Sequence, residues 1–129
     1  MTAPRLVDVT LVMAWSPRSA VPGGQPESDA PRIVFAIALD AQGQPDADAW
    51  QADPSPWPAR LERAGAAPVQ GDVAHDEGGW SLRFFASDAA AAEAPLHRLL
   101  NIAPLRPGEV LTLRAPNGGE EAWRVVGVG

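Results

Sequence analysis

The sequence predicts a mainly β fold, a small antiparallel β-sandwich or partly open barrel with one or two short helices. Three observations lead there. Apolar residues recur at every second position in several stretches, prolines and glycines punctuate the chain between them, and no segment holds a helical period beyond about three turns. Repeated units of strand, long helix and strand are missing, which argues against a parallel α/β sheet.

In the first stretch, Arg5 to Trp15, the residues Val7, Val9, Leu11, Met13 and Trp15 share one face, with Asp8 and Thr10 on the other. That is the pattern of a half-buried strand. Ser16 to Pro31 contains Pro17, Pro22, Gly23, Gly24, Pro26 and Pro31, which remove backbone donors and fix φ, so a surface loop is expected. Arg32 to Leu39 places Ile33, Phe35, Ile37 and Leu39 on one face and Val34, Ala36 and Ala38 on the other. Apolar groups on both faces predict a central strand covered on each side.

Asp40 to Pro58 is polar and ends in Asp-Pro-Ser-Pro-Trp-Pro, so it reads as a loop. Pro58 suits the first position of a short helix, Ala59 to Ala64, stopped by Gly65. Val69 to His75 reads as a short strand, Asp76 to Gly79 as a turn, and Trp80 to Ala86 as a strand with Trp80, Leu82, Phe84 and Ala86 on one face. Asp88 can cap a short helix over Ala89 to Ala92, and Pro95 can begin another turn through Leu96 to Leu100. Gly108 to Ala115 and Glu120 to Val128 flank Asn117-Gly118, whose tolerance of positive φ predicts a tight hairpin. With those two residues as the loop, Arg114 faces Glu121 and Val110 faces Val125.

At 129 residues the chain matches the size of one domain, and 46% hydrophobic against 20% charged residues is enough for a packed core. The 10 basic residues, all arginine, are outnumbered by 16 acidic ones, giving a net charge of −6. Nucleic acid is therefore not an expected partner, because phosphate recognition needs a positive face. The absence of cysteine excludes disulfides and thiolate chemistry. No apolar run is long enough for a membrane span, and Asp8 and Thr10 interrupt the N-terminal stretch that would have to serve as a signal peptide. A cytoplasmic location, or one within a virion-like particle, is the expectation.

Few residues suggest chemistry, and no cofactor is implied. Asp40, Asp46 and Asp48 are candidate oxygen ligands for a hard cation, although the alternating ligand pattern and closing Glu of a calcium loop are missing. His75, Asp76 and Glu77, with His97 elsewhere, could form a metal or acid–base centre only if the fold brings His97 to them. Neither a nucleophile elbow nor a phosphate loop is present. Five tryptophans without a tyrosine are unusual. Trp15, Trp80 and Trp123 lie in strands and are expected in the core, whereas Trp50 and Trp57 lie in the proline-rich loop. With Arg60 nearby, these two are candidate binding residues, as aromatic platforms for a sugar or anchors for a protein.

These observations favour a non-enzymatic structural or interaction protein, a small subunit of a larger assembly such as a phage-like particle. The expected partner is another protein or a second copy. The long proline-rich loops and the terminal strand edge support this expectation, since strand edges pair readily with other chains. A small-ligand or carbohydrate-binding β-domain is the alternative.

Overall fold

In the computed structural model, residues 5–15, 30–85, 96–100, 104–116 and 118–129 are described. Their eight strands are β1 (Val7–Trp15), β2 (Arg32–Ile37), β3 (Pro58–Glu62), β4 (Val69–Asp76), β5 (Gly79–Phe84), β6 (Leu96–Leu99), β7 (Val110–Arg114) and β8 (Glu120–Val128). Each pairs antiparallel with its sequence neighbour, and β8 returns to β1, so the sheet is a closed up-and-down barrel. Only an even number of strands lets such a meander close with an antiparallel seam. Of the two expected architectures the sandwich is thereby corrected and the barrel is the one adopted, with its sheet closed.

Closure demands strong coiling, and two irregularities in the β1–β8 seam supply it. The register shifts between Thr10 and Leu11 and again between Met13 and Trp15, leaving Val126 and Ala14 as extra residues. Bulges of this kind increase local twist. The seam continues past β8, where the Gly129 amide donates to the Asp8 carbonyl at 2.9 Å.

Cross-strand register sorts the side chains. Val9, Leu11, Ile33, Phe35, Ala59, Leu61, Val73, Leu82, Phe84, Leu111, Leu113, Trp123 and Val125 point inward and are buried together. An eight-stranded barrel is just wide enough for side chains to fill. One mouth is plugged by two buried residues from outside the strands, Trp57 before β3 and Leu105 before β7. Apart from Glu121, which shares the inward face with Trp123, the arginines and acids of the strands occupy outward positions, where a membrane-spanning barrel carries an apolar band. Among the described residues no helix is long and apolar enough to cross a membrane.

Several expectations need correction. Ala59 to Ala64 is not helical: Ala59 and Leu61 point into the barrel while Arg60 and Glu62 point out, on a strand paired with both β2 and β4. Pro58 begins that strand, where its missing N–H is tolerated. Leu96 to Leu100 is likewise extended, with β6 joining β5 to β7. The favourable helix propensity of Ala-Arg-Leu-Glu is overridden by two flanking ladders. The one described helix, α1 (Ala47–Ala52), falls in the segment expected to be a loop. Strand β2 is one stave of the barrel, with Ile33, Phe35 and Ile37 inward, Ala36 buried on its outer face and Val34 partly buried there. Residues 16–29 of the expected first loop and the expected helix Asp88 to Ala92 lie outside the described residues, as does the side chain of Trp15.

The last hairpin is shifted by one residue from its expected register, with Arg114 opposite Glu120 and Val110 opposite Arg124. Pro116 causes the shift. Its fixed φ suits the first position of a β-turn, closed by the Gly118 amide donating to the Ala115 carbonyl at 2.9 Å, and Gly118 takes the positive φ of +88°. The loop is one residue longer than the two-residue form. Opposite residues share a face, so the expected pairing would set Val110, 47% exposed, against fully buried Val125.

Strand β5 lies tightly against β4 at Gly71, where a Cβ would fall onto the carbonyl of Arg83 while Phe84 sits directly across the ladder. Gly71→Ala is expected to lower the unfolding free energy by about 1–3 kcal/mol, read from urea denaturation, because the blocking atoms are backbone. Gly65→Ala, at a φ of +75° with open space around it, should cost only about 1 kcal/mol.

Candidate functional site

Between β2 and β3 the chain leaves the barrel as an arm, residues 38–57, that crosses the barrel mouth, touching the β6–β7 connection at Gly43 and the rim of β4 and β5 at Trp50 and Trp57. The arm starts as a tight turn in which the Asp40 carboxylate accepts the amides of Gln42 and Gln44 at 2.9 and 3.0 Å, with Gly43 at a φ of +81°. The Gly43 carbonyl accepts the Leu105 amide, tying the turn to the β6–β7 connection. Asp46 then caps α1 by accepting the Ala49 amide at 3.0 Å. At the far end Asp53 accepts the Ser55 amide at 3.0 Å and the Trp57 indole N–H at 2.9 Å. These two donors hold its carboxyl below the usual carboxylate range.

Trp57 fixes the arm to the barrel. It has no exposed surface, stacks nearly parallel on Trp80 at 6.2 Å, and its carbonyl accepts the Val73 amide. Trp50 is only half-buried. Its N–H donates to the Val73 carbonyl at 3.1 Å, and its ring meets the edges of Trp80 at 6.4 Å and His75 at 6.0 Å. The two loop tryptophans therefore divide: Trp57 is part of the core, whereas Trp50 borders the surface.

A cleft of about 280 Å³ opens between the arm and the barrel wall, bounded by Trp50, Gln51, the Asp53–Pro56 run, Asp72, Val73 and Arg83. Its floor is an ion pair. Arg83 grips Asp72 with two parallel hydrogen bonds of 2.8 and 2.7 Å across the β4–β5 ladder, the geometry in which guanidinium and carboxylate match best. Asp72 is 8% exposed, while the Arg83 side chain is 37% exposed and stands 5.7 Å from the Phe85 ring. The bond to Asp72 keeps the guanidinium charged by raising its pKa further. Asp72 and Arg83 did not figure among the residues singled out from sequence. The signal was present in the β4–β5 hairpin: with Glu77 and Gly78 as its loop, Asp72 falls opposite Arg83.

The other expected site residues are not gathered here. Arg60 stands on the outer face of β3, paired with Glu62 at 3.1 Å, beside a separate shallow groove that includes Asp8, Val34 and Gln70. Asp40 and Asp46 spend their carboxylates on a turn and a cap, and Asp48 is exposed on α1. Among the described residues no group of three or more His, Asp or Glu side chains could hold a metal ion. His75 lies opposite Trp80, ring to ring at 4.5 Å, whereas His97 lies opposite Leu82 on β6. The fold gives them different neighbours.

His97 points into the barrel against Phe84, at 5.4 Å, and its buried Nδ1 has no hydrogen-bond partner among the described residues. Burial lowers its pKa from 6.5, with Glu121 opposing and Arg63 reinforcing the shift. The unfolded chain therefore binds a proton that the folded chain resists. The associated stability is present above pH 6.5 and lost as pH falls through the lowered folded value. Urea midpoints measured between about pH 7 and 5 should fall for the native chain, and His97→Leu should flatten that decline.

No family model matches the chain, and no curated protein or solved structure matches it significantly.

Proposed function

We propose that this protein is a non-enzymatic binding module whose cleft under the arm takes a neutral, polyhydroxylated ring, a carbohydrate. The observation that carries this reading is the meeting of the half-buried Trp50 with the Asp72–Arg83 pair in one 280 Å³ cleft. The Arg83 charge is already matched by Asp72, and Asp53 adds a further negative charge, so an anionic ligand is disfavoured. Gln51 and Ser55 add neutral donors and acceptors at the rim. A flat apolar platform surrounded by such groups suits a ring with an apolar face and a polar edge. The broader reading, a subunit of an assembly, loses one of its supports, because β8 is paired on both sides and offers no edge for another strand.

The reading is tested by following tryptophan fluorescence while titrating glucose, galactose, mannose, N-acetylglucosamine, maltose and cellobiose. At least one is expected to give a saturable change. Trp50→Ala should weaken its binding by about tenfold or more, and the rim changes Gln51→Ala and Ser55→Ala should weaken it less. Calorimetric titration of the rim variants keeps the test open if Trp50→Ala loosens the arm. No response to any of these sugars, or one unchanged by all three substitutions, overturns the proposal.

A further inference from the structure

Strand β6 is the shortest stave of the barrel, running only from Leu96 to Leu99. Among the described residues it meets β5 at Leu96, His97 and Arg98, and β7 at Arg98 and Leu99, with one more ladder bond from the Leu100 amide to the Thr112 carbonyl at 2.8 Å. By contrast β1 runs against β2 from Val7 to Val12, and β4 runs against β5 from Gly71 to Asp76. The free energy that resists local opening comes from ladder bonds and buried apolar contacts, so β6 is the stave most readily released.

One of its two inward side chains is polar. Leu99 packs against the core, whereas His97 has Leu82 directly across the ladder and the Phe84 ring at 5.4 Å. On β7 the next inward position, opposite Leu99, is Leu113. None of these can bond an imidazole nitrogen, and the buried Nδ1 has no partner among the described residues. Such an atom disfavours the closed form and recovers its hydrogen bond when the stave opens to water.

Two charged groups act on the ring. Glu121 faces inward from β8, its Oε1 already accepting the Trp123 indole N–H at 3.2 Å, and Arg63 stands just past the end of β3. Burial outweighs both, and Arg63 opposes the attraction of Glu121, so the closed barrel keeps His97 neutral at a pH where the hydrated ring is charged.

We infer that β6 is an acid-released stave, and that protonation of His97 frees Leu96–Leu99 from β5 and β7 before the rest of the barrel unfolds. The opened form takes up a proton that the closed form resists, so its population grows as pH falls below 6.5 and stops growing at the lowered value of the closed form. Opening bares the facing edges of β5 and β7, which the closed barrel hides. Strand β6 contributes no residue to the cleft, so this device stands apart from carbohydrate binding.

Native-state amide hydrogen exchange of the full chain, at low urea and corrected for intrinsic exchange rates, tests it. At about pH 5 the amides of the β5–β6 and β6–β7 seams should exchange through an opening nearly independent of urea and about tenfold more populated than at pH 7, while the β1–β2 amides follow the urea slope of global unfolding. His97→Leu should remove that pH effect. Arg63→Gln, on an exposed side chain, should shrink it and serves as the second variant if His97→Leu does not fold. The inference is overturned if the β6 amides follow the global urea slope at pH 5, if their opening is equally populated at pH 7 and 5, or if the pH effect is unchanged in the folded variants.

Discussion

Pairing of the first strand with the last is the constraint on which the rest of the structure depends. Without the β1–β8 seam the meander would be an open, twisted sheet with two edges and a core exposed along one side. With it, eight short strands enclose a single apolar interior, and every strand between Val7 and Val128 has a partner on both sides. The two bulges are what make the seam compatible with so small a circumference, because each adds coiling where the sheet must turn back on itself. Closure also decides how this protein can bind anything. A sheet without edges cannot recruit another strand, so recognition falls to its walls and to whatever is folded over them.

The arm is the main such feature, and its position follows from a few contacts. Trp57 is buried in the barrel mouth and stacks on Trp80, while Asp53 takes its indole N–H and so reads the position of the core from the surface. From that anchor the preceding helix is placed, with Trp50 held by the Val73 carbonyl. The cleft is thus a by-product of filling the barrel mouth. The Asp72–Arg83 floor is fixed independently by the β4–β5 register. A rigid wall opposed by an arm pinned at both ends presents a preorganised site, which limits the ordering cost of binding.

Much of the fold was legible in the sequence where alternation was clean. Val7 to Trp15, Arg32 to Ile37 of the expected Arg32 to Leu39, Val69 to His75 and Trp80 onward are strands because one face of each meets the core. The two segments whose composition favours helical turns, at Ala59 and Leu96, are the two strands needed to reach eight. Each has only two inward residues, too few for a period of two to outweigh helix-forming composition; the ladders on both sides decide them. The same limit applied to the cleft. Trp50 stood out by its type, but Trp57 is separated from it only by its depth in the barrel mouth, which no local pattern encodes. The Asp72–Arg83 pair is an outcome of register, and register becomes visible only when the hairpin loop is identified.

The closed seam is most directly tested by amide hydrogen exchange. The amides of β1 directed at β8, and those of β8 directed at β1, should be protected to the same degree as the amides that β1 directs at β2, since all lie within one closed ladder. Fast exchange confined to the β1–β8 seam, with the other ladders protected, would mean an open sheet with two edges and would contradict the account.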